Sequence, residues 1–203
     1  MTQRETRERI VATADMLFYR CGFEHTSFAD IAVAVGISRG NFYHHFKSKD
    51  EILAAVIAKR LADRVRMMAC WEADVSDPVG RIEAFIDILR MNGDKIRRHG
   101  CPIGTLTSEL AKLDHAARPE AVRLFTVFRE WLAKQFAALG RAEDADQLAL
   151  QLLSCSQGAA TLYNAFQDPE FIEREVVAMT SWLHDIARGS LATNSARPFQ
   201  SHN

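Results

Sequence analysis

Apolar residues recur along this chain at intervals of three and four, and no alternating pattern of two persists. The spacing predicts an all-α fold without internal repeats. Ile10, Ala14, Leu17, Phe18 and Cys21 form a first helical stripe that Gly22 ends. Phe28, Ile31, Ala32 and Val35 form a second, with Ser27 as its N-cap and Gly36 as its left-handed terminus. Ser38 caps a third, in which Phe42 and Phe46 bury together and leave Arg39, Gly40, Asn41, Tyr43 and His44 facing away. Ser48-Lys49-Asp50-Glu51 reads as a capping box ahead of Ile52, Leu53, Val56 and Ile57, opening a long helix to about Ala73. Beyond it, a stripe beginning at Pro78 predicts a helix to His99, broken by Gly100-Cys101-Pro102. Further helices are expected to about Lys112, from Pro119 to Gly140, from Asp144 or Ala145 to Phe166, and from Pro169 to about Arg188. The segment from Gly189 to Asn203 has no periodicity and is expected to be a flexible tail.

The second and third helices, joined through Gly36, make a pair that can set its second member in a DNA major groove. An ordinary helical hairpin with a polar outer face is the plainer alternative. The flanking helices turn the pair into a small domain. The segment ERIVATADMLFYRCGFEHTSFADIAVAVGISRGNFYHHFKSKDEIL resembles the N-terminal domain of the tetracycline-repressor (TetR) family of bacterial transcription regulators. The likeness is close over roughly residues 5–60; beyond them only length and helicity match. It implies a helix-turn-helix head at 1–48 with a recognition helix at about 38–44. A helical ligand-binding and dimerisation body would follow at 49–188, its connecting helix at about 49–73, and the tail at 189–203.

Residue chemistry supplies the DNA-facing set. Thr26 and Ser27 stand at a helix N-terminus, where hydroxyls and open amides suit a phosphate. Arg39 can chelate guanine and Asn41 adenine, while Gly40 permits close backbone approach. Ser38, as the cap of that helix, is counted with them. The resemblance assigns Lys49 to a phosphate and the Tyr43-His44 pair to anchoring on the DNA backbone. His44-His45 does not read as a metal site, since adjacent helical residues diverge, and no cofactor is implied.

Composition changes the picture only in places. The 203 residues are 48% hydrophobic and 25% charged, with no run long enough to span a membrane and no leader-like apolar segment, so a cytoplasmic protein is expected. Residues 1–60 hold nine Lys/Arg against seven Asp/Glu, and residues 61–203 sixteen against nineteen. A surplus of two cations gives weak non-specific affinity, so DNA binding must rest on placed groups and on pairing two copies. Cys21, Cys70, Cys101 and Cys155 stand far apart, with no zinc spacing, and read as free thiols.

In the body, Leu148, Leu152, Cys155, Ala159, Leu162, Val176, Val177, Met179, Trp182 and Leu183 can serve a core and a partner chain. Ser154, Ser156, Gly158, Ala159 and Ala160 would allow close helix approach. The resemblance implies a homodimer through the last two helices, a palindromic double-stranded operator, repression, and a small-molecule effector that alters head spacing. Trp71, Phe85, Phe125, Phe128, Trp131, Tyr163 and Phe166 are candidate walls of an apolar effector pocket; ordinary core packing is the alternative. Cys101 follows Arg97-Arg98-His99-Gly100 and precedes Pro102, a setting that can activate a thiol toward electrophiles or oxidants. The phrase GCPIGTLTSEL resembles a subgroup of the family with Gly-Cys here, in some of which that cysteine senses reactive compounds. A small residue filling a tight turn is the structural alternative for Cys101, with a purely non-covalent effector. Two other classes compete: a Cys101 enzyme using His99 or His115 as base, which lacks an orienting third group, and an interaction protein that has lost DNA binding.

Overall fold

The computed structural model describes residues 2–189; among them lie ten α-helices and no strand. The expectation for the tail falls, apart from Gly189, on residues outside the described ones. Helix α1 (Gln3–Cys21) begins at Thr2, whose hydroxyl accepts the Glu5 amide while the Glu5 carboxylate accepts the Thr2 amide. It stops at Gly22, at φ 87°. Helix α2 (Phe28–Val35) repeats the reciprocal cap with Ser27 and Asp30, and Gly36 closes it at φ 73°. Arg9 of α1 donates to Val35 O at 2.9 Å, covering a carbonyl left open at that end. Helix α3 (Arg39–His45) starts at Ser38, whose hydroxyl accepts the Asn41 amide.

The long connecting helix is α4 (Lys49–Asp74). Only half of the box expected at its start forms. The Ser48 hydroxyl accepts the Glu51 amide, but the Glu51 carboxylate reaches one residue further back and accepts the Lys47 amide at 2.7 Å. The single helix expected from Pro78 to His99 is also corrected: it is two, α5 (Pro78–Met91) and α6 (Gly93–His99). Asn92 ends the first by donating from both its amide (3.0 Å) and its side chain (3.1 Å) to Ile88 O. The apolar period runs through the break because Ile96 stays buried, which hides the interruption in the sequence.

Helices α7 (Pro102–Lys112), α8 (Arg118–Ala138), α9 (Ala145–Phe166) and α10 (Pro169–Ala187) complete the body. The longest packing seam joins α8 to α9, and α10 lies against α5. Two cores result. One, in the body, centres on Ile82, Leu124, Leu132, Phe136, Leu152 and Leu183. The other joins α1–α3 to the first turns of α4, and takes in Leu106 and Leu110 of α7 and Ala121 of α8. Burying each of those leucines contributes roughly 1.5–3 kcal/mol. The head is therefore closed by α7 as well as by its own helices.

Candidate nucleic-acid interface and the cavity behind it

Phe42 and Phe46 are fully buried and pin α3 to the head, with Phe28 edge-on to Phe42 at 4.4 Å. The opposite face carries Gly40, Asn41, Tyr43 and His44, all exposed. No carboxylate stands on α3. Arg39 opens the helix; its side chain lies outside the described residues. A Cβ built on Gly40 would meet nothing within 4 Å, so the chain's own packing does not call for glycine there. Glycine in a helix costs up to about 1 kcal/mol relative to alanine.

Beside α3 lies a recess of about 290 Å³ lined by Ser27, Phe28, Ala29, Ala32, Phe42 and Tyr43. The Tyr43 ring rests on Phe28 at 4.9 Å and stays half exposed. The amides of Phe28 and Ala29, at the positive end of α2, have no partner among the described residues. Ser27 is exposed, but Asp30 accepts both its hydroxyl, at 2.6 Å, and its amide, at 2.8 Å. These bonds, the hydroxyl's first, hold the Asp30 carboxyl below its usual range. The expectation that Thr26 presents its hydroxyl to a phosphate is corrected. Thr26 is buried and donates to Gly22 O at 2.7 Å, tying off the turn after α1.

Lys49 is placed at the head's edge with its ammonium turned to the same turn. Its Nζ donates to Phe23 O at 3.0 Å and Glu24 O at 3.3 Å, and sits 4.2 Å from the centre of the Phe23 ring. His44 Nε2 lies 3.2 Å from Gln3 Nε2 of α1. Lys47, which the sequence did not single out, donates to Tyr43 O at 2.6 Å and brings its charge to the end of α3. Glu109 of α7 was also missed. Its two carboxylate oxygens accept the Phe23 and Glu24 amides, each at 2.9 Å. The α1–α2 turn is thus held on its carbonyls by Lys49 and on its amides by Glu109. No sequence signal links residues 85 and 86 positions apart.

The other end of α7 borders a cavity of about 240 Å³. Phe85, Phe125 and Phe128 line it, with Leu89, Ile103 and Leu153. The remaining four aromatics are corrected. Trp71 packs on Trp131 at 5.4 Å, and the Trp131 indole donates to Glu72 at 2.8 Å. Tyr163 is buried in the body core, and Phe166 is 66% exposed. Cys101 caps α7, its Sγ 3.5 Å from the Gly104 amide, and lines the cavity. Two of the basic residues flanking it in sequence, Arg98 and His99, line a polar cleft of about 650 Å³ against α1, which shares Asp63, Arg64, Asn92 and Pro102 with the cavity wall. Arg97 turns to Asp94 and Gln167. Tyr19 bonds Gly100 O at 2.8 Å, and burial first of all pushes its phenol up to about 12. Neither histidine proposed as a base serves Cys101: His99 packs on Tyr19, and His115 accepts the Ala117 amide beside Asp50.

Of the apolar residues expected to face both a core and a partner, Leu148, Leu152, Ala159, Val176, Met179 and Leu183 are buried. Cys155, Leu162 and Val177 are exposed. Ser154 and Gly158 share that open face of α9, whereas Ser156 and Ala160 turn inward.

A carboxylate-free recognition helix on a three-helix head, backed by a larger helical body, defines a helix-turn-helix DNA-binding transcription regulator. Residues 10–56 match the bacterial regulatory proteins of the tetR family. Residues 78–175 match the C-terminal domain of LmrA/YxaF-like transcriptional regulators. The HTH-type transcriptional regulator YxaF of Bacillus subtilis (strain 168) is 30% identical over 166 residues, covering 80% of this chain and 87% of that one. The HTH-type transcriptional repressor DhaR of Mycobacterium sp. (strain GP1) is 25% identical over 169 residues, 78% of this chain and 82% of its own. A TetR transcriptional regulator of Chloroflexus aurantiacus superposes with a TM-score of 0.79 at 27% identity, covering 90% of this chain and 96% of that one. The chain belongs to the TetR family of transcription regulators and is not an enzyme. Among the described residues no helix is long and apolar enough to cross a membrane.

Proposed function

We propose that the protein is a repressor that binds a palindromic operator as a homodimer and releases it when a small molecule enters the body. The observation that carries this reading is the outer face of α3, where Gly40 is open to solvent between polar side chains and the helix is anchored by buried phenylalanines. The missing Cβ lets the α3 backbone approach the groove floor, and Asn41, with Arg39 beside it, reaches base edges. Tyr43, His44, Lys47 and the open amides of Phe28 and Ala29 fix the phosphates on either side. Ser27 and Ser38 shape the two helix starts, and Lys49 contributes its charge from the turn. Residues 1–48 act as the reading head and residues 49–188 as the body.

Two heads are needed because one carries little net charge. The uncharged face of α9, with Gly158 and Leu162, and the face of α10 that carries Val177 meet their twofold mates and set the heads about 34–36 Å apart, one turn of DNA. Helix α7 supplies the coupling: one end lines the cavity, its middle enters the head core, and Glu109 grips the α1–α2 turn. An effector that binds one α7 position better than the other shifts the head equilibrium by that difference.

Fluorescence anisotropy with the DNA flanking the protein's own gene tests the reading. Salt-dependent, saturable binding to one palindromic segment is expected; equal affinity for scrambled DNA would overturn it. A second trigger is modification of Cys101, favoured by its position as the cap of α7 at the cavity edge. Serine caps helices well, so Cys101→Ser keeps the fold. If electrophiles release DNA from this variant as from the wild type, the thiol acts as a cap alone.

A further inference from the structure

The cavity is apolar on most of its wall, but half-buried Arg64 of α4 stands on the part of that wall shared with the polar cleft, and lines both. The Arg64 Nε–H is buried and has no hydrogen-bond partner, while Nη1 donates to Arg60 O at 3.0 Å. Its neighbours do not supply the missing acceptor. Asp15 is held by Arg60 at 2.7 Å and faces Lys59 at 3.6 Å. Asp63, which shares the cavity wall, accepts from Lys59 at 2.7 Å and from Arg66. Two carboxylates thus face four cations, Lys59, Arg60, Arg64 and Arg66, and no ion pair reaches Arg64 among the described residues. Burial, and then the charge of Arg60, lower the Arg64 pKa from its usual value. A buried donor left without an acceptor is destabilising unless a partner arrives.

We infer that the effector is a small apolar monoanion, a compact ring system or branched aliphatic body bearing one carboxylate, with its head on Arg64 and its body between Phe85, Phe125 and Phe128. This rests on the effector reading above and gives it a chemical class. The volume is that of about eight waters, which suits one or two fused rings and excludes long chains. A carboxylate accepts the orphan N–H and balances the local charge, and charge-assisted bonds of this kind are roughly twice as strong as neutral ones. A neutral amide of the same shape presents an acceptor without the charge, so the discrimination falls on Arg64.

The test is isothermal titration of the full chain with 2-naphthoate and 4-tert-butylbenzoate against their carboxamides. In the wild type each acid is expected to bind at least about tenfold tighter than its amide. Arg64→Gln and the apolar isostere Arg64→Met should bring that ratio to near one, with thermal melts confirming the fold. Ser156→Met fills the cavity with a shape-adaptable side chain and should abolish binding of all four compounds, which places them in the cavity and not in the outer polar cleft. A ratio that survives loss of the guanidinium, amides that match the acids, binding indifferent to Ser156→Met, or no binding by any of the four would each overturn the inference. DNA binding is read separately, without compound. Acid binding with no operator binding would sink the regulatory reading and leave the site; operator binding with no acid binding would sink the site alone.

Discussion

Gly40 in α3 and Gly158 in α9 present the same local fact in two distant regions. Each lies in a helix, and at each a Cβ would meet nothing within 4 Å. By contrast a Cβ on Gly104 would come 2.7 Å from Gln157 Oε1, so there the chain itself has a use for the missing atom. What separates the two open glycines is their company. Around Gly40 stand Asn41, Tyr43 and His44, all exposed and able to donate to a polyanion. The helical neighbours of Gly158 are Ser154, Cys155, Thr161 and Leu162, all exposed and none charged. The gap leaves room for an approach, and under the proposed function the neighbours distinguish the two partners. One face suits nucleic acid and the other a second copy of the chain.

The largest effect should come from blocking the α9 face. Gly158→Leu adds a branched side chain where the single chain has room, so the protomer keeps its fold and the dimer does not form. With one head per particle, operator affinity is expected to fall by roughly 100-fold or more, since the second contact is no longer intramolecular. Sedimentation velocity with anisotropy checks both halves, and a variant that stays dimeric removes this face from the interface. Next in size are Arg39→Ala and Asn41→Ala, each expected to cost about 1–3 kcal/mol per half-site and to relax preference at one base pair. Gly40→Ala sharpens the comparison because its two effects have opposite signs. Helix propensity should raise stability by about 0.5–1 kcal/mol, while operator binding weakens about tenfold. Unchanged DNA affinity with the gain in stability would mean that nothing approaches Gly40.

These predictions depend on a head that was largely legible in the sequence. Its signals are local: Ser27 and Ser38 as caps, Gly22 and Gly36 as stops, Phe42 and Phe46 one turn apart. Each acts within a few residues, so spacing alone placed α1 to α4. Thr26 was misread because a hydroxyl's direction depends on the backbone of the turn, which folds it onto Gly22 O. The body was legible as helices but not as a site. Whether Phe125 lines a cavity or Phe166 lies on the surface depends on how α4, α5, α7, α8 and α9 pack, and a helical aromatic stripe looks the same in both cases. Asn92 shows the same limit at smaller scale, for the apolar period crosses the break it makes. Arg64 gave no motif at all; its meaning is an absent partner, which only the packed structure can reveal.

Lys49 should have a smaller and mixed effect. Lys49→Ala removes a cation near the DNA face, so affinity for all sequences should fall a few-fold with a shallower salt dependence. It also removes two bonds from an ammonium to the α1–α2 turn, about 1.5–3 kcal/mol for charged hydrogen bonds. A lower melting temperature with an unaltered salt slope would assign Lys49 wholly to the turn.

Glu109→Gln should change operator affinity least, by no more than about twofold without effector, and yet alter regulation. The carboxylate accepts two amides, from Phe23 and Glu24. A carboxamide keeps one acceptor oxygen and sets an NH₂ group against the second amide, so one bond is lost and a donor faces a donor. Stability should fall by about 1–3 kcal/mol. The α3 face is untouched, because Phe42 and Phe46 hold it from inside the head. What weakens is the grip of α7 on the turn, a polar link that acts beside the bonds of Arg60 to Asp15 and Pro102 O and of Tyr19 to Gly100 O. Effector-induced release, titrated by anisotropy, should therefore need several-fold more effector or become incomplete. If release is as sharp as in the wild type while stability falls as expected, coupling runs through Leu106 and Leu110 in the shared core, and Glu109 only holds the turn.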